Sequence, residues 1–201
     1  MHKYLLAIDS LSTWVGKTFA WSIVLLTFAV SYEVFVRYAF NAPTTWAFDA
    51  SYILYGTLFM MGGAYTLSRN GHVRGDFIYR MWPIRRQAAV DLVLYCMFYV
   101  PAMAAFVYSG WDFFWLSFRM NEHSAFSPEG PIIWPFKFLI PLVGVLMLLQ
   151  GFAEIMRCIE TIQTGKVPSK LHDVEELEKQ ILAEAEAARA KKAKTERKGG
   201  K

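Results

Sequence analysis

Glu33 and Arg37 stand four residues apart near the end of a long apolar run, and Asp49 follows at the start of the next run. On a helix that spacing sets carboxylate and guanidinium on one face, with the acid first, the favourable order. Asp49 falls in the first turn of a second helix, where the helix N-terminus favours a carboxylate. Charges within or beside apolar spans are costly, so each needs a partner or a purpose. Glu33, Arg37 and Asp49 are therefore expected to form one small charge cluster. It either staples a helical hairpin or meets a partner subunit or a lipid phosphate, and the two roles are compatible. A second polar stretch, Gly71-His72-Val73-Arg74-Gly75-Asp76, has no metal-ligand spacing. Its His72, Arg74 and Asp76 are expected in a loop that caps a span and binds anionic phospholipid headgroups. Asp91 and Glu154 are expected to be interfacial or paired.

Catalytic chemistry finds no foothold. The four histidines are His2, His72, His123 and His172, and none falls within an apolar run. A membrane haem needs two axial ligands at one depth, which these positions do not offer. Cys96 and Cys158 sit at different depths, and neither faces an oxidising compartment, so neither a disulfide nor a metal site is expected. No phosphate loop, nucleophile–base pair or paired intramembrane carboxylate is visible. No enzyme activity, cofactor or metal is expected. Transporters place polar sites near the membrane midplane, and these runs carry few polar groups there. The chain reads as an accessory or scaffold subunit rather than a solute pathway of its own.

The elements that must position these residues are membrane helices. The 201 residues are 55% hydrophobic and 19% charged, against about 25% charged in an ordinary soluble domain; mean hydropathy is +0.26. Residues 1–168 hold 12 of the 21 Lys/Arg and all the aromatics, whereas 169–201 hold the other nine basic residues and no aromatic. The pI near 9.0 does not signal nucleic acid, because the basic residues sit between apolar runs rather than in one patch. Four runs reach the roughly 20 residues that a bilayer crossing needs: about 14–38, 46–68, 88–110 and 132–156. The fold class is all-α, a polytopic membrane domain over 1–168 followed by a charged tail over 169–201, helical or frayed. The six residues Phe40–Thr45 force an antiparallel hairpin between the first two spans.

Lys and Arg flanking the spans set the orientation. Lys3, Lys17, Arg69, Arg74, Arg80, Arg85, Arg86, Arg157, Lys166 and Lys170 mark one side, so both termini are expected in the cytoplasm. Phe77, Tyr79 and Trp82 among the arginines suggest an interfacial segment. Trp111, Trp115 and Phe118 follow helical spacing, which extends the third helix beyond the membrane. The link from Trp111 to Pro131 carries Arg119 against Asp112, Glu122 and Glu129; its aromatics either receive a soluble partner or anchor the interface. Pro101 and Pro141 predict kinks. Gly56, Gly62 and Gly63, with Gly144 and Gly151, permit close helix approach, and their faces are candidates to meet a partner subunit.

The stretch Phe35-Val36-Arg37-Tyr38-Ala39-Phe40-Asn41-Ala42-Pro43-Thr44-Thr45-Trp46-Ala47-Phe48-Asp49, with Tyr52 and Gly71–Phe77, resembles the small membrane (Q-type, DctQ-like) subunit of TRAP (tripartite ATP-independent periplasmic) transporters. The span layout extends the resemblance over about residues 5–165. Asp49 stands where that family usually carries Glu, and Gly75 where an aliphatic residue is usual. The resemblance implies a multi-pass protein of the bacterial inner membrane that scaffolds a separate large (M-type) permease subunit. That large subunit would hold the sodium and substrate sites. A periplasmic substrate-binding protein would deliver an organic acid to the outer face. Glu33, Arg37, Trp46, Asp49, His72, Arg74 and Asp76 become candidate subunit or lipid contacts. Trp111, Trp115, Arg119, Glu122 and Glu129 become candidate docking residues. Two competing readings are a membrane anchor for a respiratory or redox enzyme complex and a free-standing assembly factor; what co-purifies separates the three.

Overall fold

The computed structural model describes residues 2–69, 81–127, 130–166 and 182–183. His72, Arg74, Asp76, Glu129 and all but two residues of the tail lie outside the described residues.

Among the described residues six helices follow in order: α1 (His2–Ala20), α2 (Ser22–Ala39), α3 (Ala47–Ser68), α4 (Ile84–Leu94), α5 (Val100–Arg119) and α6 (Trp134–Thr164). Between α4 and α5 one π-helical segment, Tyr95–Tyr99, keeps the chain helical. The apolar runs set the centre of each helix but not its ends. The backbone ladder continues past the apolar stretch, so the first helical rod extends back to His2. Trp21 marks the seam between α1 and α2. Its N–H reaches only the Thr18 carbonyl, at 3.4 Å, and its own carbonyl accepts from Val24 at 3.1 Å as well as, at α-helical spacing, from Leu25 at 3.3 Å. These three-residue spacings are a tightened turn within an otherwise α-helical rod.

Among the described residues three stretches are long and apolar enough to cross a membrane: Tyr4–Ala39, Ile84–Arg119 and Trp134–Thr164. At 1.5 Å per residue the first two rods are about 54 Å long, well beyond the roughly 30 Å of hydrocarbon. The helix α3 covers 22 residues, about 33 Å. It is not one of those three stretches, and Asp49, three tyrosines and three glycines lie within it. Its place is inside the protein rather than at the edge.

The helices pack as a row. The α1/α2 rod lies on α3, α3 on α6, and α6 on the α4/α5 rod. α1 also reaches α6, while α2 packs on α3 and on the end of α1. Val15 of α1, Met61 and Ala64 of α3, and Val143 and Leu146 of α6 form the buried core where three helices meet. Side chains on the two edge rods point outward: Phe28, Val34 and Phe35 on one, Val93, Met97, Phe98 and Tyr108 on the other are all exposed.

Small residues set the closest seams. A Cβ on Gly151 would stand 2.3 Å from the Tyr99 ring, on Gly144 2.6 Å from Val107, on Gly56 2.6 Å from Phe136, and on Gly16 2.5 Å from Tyr65. Gly63 makes ordinary contact with Met147, and Gly62 faces open space. The glycine faces of α3 and α6 are thus largely taken up within the chain, which corrects their reading as partner surfaces; Gly62 alone of the five stays open. Gly110 lets α5 approach Pro141, whose backbone N would lie 3.2 Å from an added Cβ. Pro101, at the second position of α5, follows the π segment, where the Val100 N–H reaches back to the Tyr95 carbonyl. The wider turn takes up the residue that cannot donate.

Candidate functional site

Polar side chains gather at the two ends of the row. At the hairpin end, α2 runs into the link before α3. Glu33 is buried there, and its Oε1 accepts from Arg37 Nε at 2.9 Å and Nη2 at 2.5 Å. Its Oε2 accepts from the Thr44 backbone N–H at 3.1 Å and from the Thr44 hydroxyl. One carboxylate therefore ties the last turn of α2 to the link. Arg37 keeps about half of its side chain exposed. Trp46, immediately before α3, stacks on Tyr32 with ring centroids 6.0 Å apart. The i,i+4 pair is the one that the spacing implies, and Thr44 completes it.

Asp49 does not join that cluster. It is wholly buried, and its carboxylate accepts from the hydroxyls of Ser124 and Ser127. The expected three-residue cluster is divided, because the first turn of α3 faces the second hairpin-end loop rather than α2. The Ser127 hydroxyl also lies 2.6 Å from the Thr45 carbonyl and can donate to one of the two at a time. Tyr52 adds its hydroxyl toward Ser124 at 3.4 Å. Above this hook, Phe126 stacks edge-on with Phe48 and Tyr52 and is itself largely exposed.

The loop is closed by its own backbone. Ser124 N–H donates to the Pro131 carbonyl and Ile133 N–H to the Glu122 carbonyl, both at 3.0 Å. His123 Nδ1 lies 2.8 Å from the Gly130 carbonyl. Lys137 of α6 donates to Glu122 at 2.5 Å and lies 4.0 Å over the Phe113 ring. That ammonium holds the Glu122 carboxyl below the usual carboxylate range. Of the candidate docking residues, Trp111 and Trp115 stack on each other at 6.4 Å and Arg119 is exposed. Glu122 is engaged within the chain.

A second constellation, at the opposite end, went unread in the sequence. Asp9, Ser12, Gln150, Glu154 and Arg157 are all buried. Ser12 donates to Gln150 Oε1 at 2.9 Å, and Gln150 Nε2 donates to Asp9 Oδ1 at 2.8 Å. Arg157 donates to the other Asp9 oxygen and, through Nη1, to Glu154 at 2.6 Å. Two carboxylates thus share one guanidinium, and Glu154 is paired with Arg157. A signal was available: Leu5, Asp9, Ser12 and Gly16 repeat the i, i+4, i+7, i+11 spacing of Gln150, Glu154, Arg157 and Thr161. Each set is one face of one helix.

Long apolar rods with outward side chains, joined by polar ties at both ends, define an α-helical multi-span membrane protein. Its polar residues fasten its own helices. A family model, DctQ: Tripartite ATP-independent periplasmic transporters, DctQ component, matches residues 26–161. The chain belongs to this family, the small component of TRAP transporters, which works with a large permease and a binding protein. The family is a transporter component and not an enzyme family, and the redox-anchor reading finds no support in it. A comparison with curated protein sequences returned no match.

Proposed function

We propose that this chain is the small permease subunit of a sodium-coupled transporter for organic acids. It acts as scaffold for the large permease subunit and helps to dock the periplasmic binding protein. On this reading α3 is the second of four spans in the bacterial inner membrane. The hairpin end faces the periplasm, and both termini lie in the cytoplasm. Lys17, Arg69, Arg85, Arg86, Arg157 and Lys166 near the opposite end agree with that orientation. The exposed Lys17, Arg85, Arg86 and Lys166 are suited to anionic phospholipid, as are His72 and Arg74. The second hairpin-end loop, with Trp111, Trp115, Arg119, Glu122 and Glu129, is the docking face, beside the link from Asn41 to Trp46.

One observation carries the scaffold role. In its most apolar stretch the Ile84–Arg119 rod has no buried residue, and the Tyr4–Ala39 rod has few. A row of helices with two apolar edges is a shape that widens a membrane assembly rather than one that encloses a solute path. Affinity capture of the chain from native membranes in mild detergent tests this. A stoichiometric many-span protein is expected, and the captured pair is expected to retain an added periplasmic binding protein. Capture of a redox enzyme, or of nothing stoichiometric, overturns the reading.

A further inference from the structure

We propose that Asp9, Gln150, Glu154 and Arg157 form a releasable clasp that holds α1 on α6, and that α1 swings off α6 about Trp21 when the clasp opens. Three features of the seam carry this. The first is its chemistry. Asp9 and Ser12 on one side meet Gln150 and Arg157 on the other through directed bonds between residues 138 to 148 apart in sequence. The apolar contact that α1 makes with the core, through Val15 and Phe19, lies nearer the middle of the row. Polar groups separate into water at less cost than apolar ones do, so a seam closed by charge opens more readily than one closed by leucines.

The second is its position. Arg69, just past the last turn of α3, donates to Thr13 at 3.4 Å. Asp9 lies one helical turn further along α1, about 6 Å beyond the end of α3. With α3 matched to the hydrocarbon, the clasp stands at the water boundary, where released charges are solvated rather than left in lipid. The third is the hinge. At Trp21 the rod's α-helical ladder thins: three-residue bonds to Thr18 and from Val24 stand beside one α-helical bond, from Leu25. Beyond that point α2 is held to the start of α3 by Glu33, Thr44 and the Tyr32–Trp46 stack. The rod is therefore anchored at the hairpin end, packed along α3 where Gly16 meets Tyr65, and tied to α6 by polar groups at its other end.

The neighbouring seam differs. Cys158 lies two turns beyond Gly151, on the face that meets Tyr99, and it is buried. Thr161 lies one turn beyond Arg157, on the face that meets α1, and is buried as well. The two positions report on the two seams separately.

The experiment follows maleimide labelling of the full chain in membranes. Thr161→Cys is read in a background of C96A and C158A, and native Cys158 in a background of C96A. Ala47→Cys in the background of C96A and C158A reads the α2–α3 end, where Ala47 is buried. Each is compared with and without Asp9→Asn, and again with Arg157→Gln. The expected result is labelling of the Thr161→Cys thiol at least tenfold faster in either clasp variant, with the rates at Cys158 and at Ala47→Cys unchanged. An unchanged rate at Thr161→Cys overturns the clasp. Faster labelling at Cys158 means that the whole end loosens, and faster labelling at Ala47→Cys means that the entire rod moves; either overturns the hinged release.

Discussion

Removing the Asp49 carboxylate isolates what the hook at the hairpin end contributes. Asp49 is wholly buried in the first turn of α3, and its only hydrogen-bond donors among the described residues are the Ser124 and Ser127 hydroxyls. A hydrogen bond to a charged acceptor is worth roughly 1.5–3 kcal/mol, and a stranded buried donor costs about 1–3 kcal/mol. The two serines do not respond alike to Asp49→Ala. Ser127 turns to the Thr45 carbonyl, 2.6 Å away, and loses little. Ser124 is buried and keeps only acceptor contacts, from Tyr52 and from the Phe126 N–H. The balance is about 2–3 kcal/mol, a roughly 30- to 150-fold shift in the unfolding equilibrium. Asp49→Asn retains one acceptor and most of the volume, so it should lose less than half as much. Reversible unfolding in mixed micelles gives the magnitude. Hydrogen exchange gives the location: the amides of Ser124 and Ile133, which close the loop on Pro131 and Glu122, should exchange at least tenfold faster. A change under about 0.5 kcal/mol with unaltered exchange would refute the hook.

Three further substitutions test the packing and the ion pair. Gly151→Ala drives a methyl into the Tyr99 ring and should cost about 1–3 kcal/mol by overpacking, whereas Gly62→Ala meets open space and should change little; equal effects in thermal melts would contradict the seam. Glu122 has its carboxyl lowered by Lys137, so its contribution is present above the unfolded value near 4.5 and is lost as pH falls below it. Glu122→Gln should therefore lower stability by at most about 1 kcal/mol at neutral pH, because the pair is partly exposed, and should match the parent in acid.

Pattern in the sequence reveals a bond when both partners lie on one helix, and fails when one lies on a distant loop. Glu33 and Arg37 were legible because four residues is one turn, and the hairpin because six residues cannot do anything else. Asp49 was legible as a helix-start carboxylate, but its partners lie 75 and 78 residues away. Serine hydroxyls in a turn carry no periodicity to betray them. The inner clasp failed for another reason. Asp9 and Ser12 precede the first apolar run, so a search centred on membrane crossings leaves them out. Helix ends misled in the same way: apolarity marks where lipid lies, while the backbone ladder continues to His2 and to Thr164. The π segment before Pro101 leaves no trace in composition beyond the proline itself.

What remains is why so apolar a chain keeps buried ion pairs. Replacing such pairs by apolar residues is often neutral or stabilising, so stability alone does not account for them. Between helices in lipid, apolar contact offers no net driving force, and association depends on close packing and polar ties. Here the middle of the row is packed by shape, with glycines against aromatic and branched side chains. Shape alone leaves several neighbouring registers close in energy. Polar ties at the two ends remove that freedom, since a slip of one turn along α6 would leave Arg157 facing no carboxylate of α1. The Asp9–Arg157 bond joins α1 to α6, 148 residues apart, so it forms only when these two helices stand in register. Charge at the ends therefore fixes the order and register that the apolar middle leaves open, and the outward faces of the edge rods are left free for lipid or a partner.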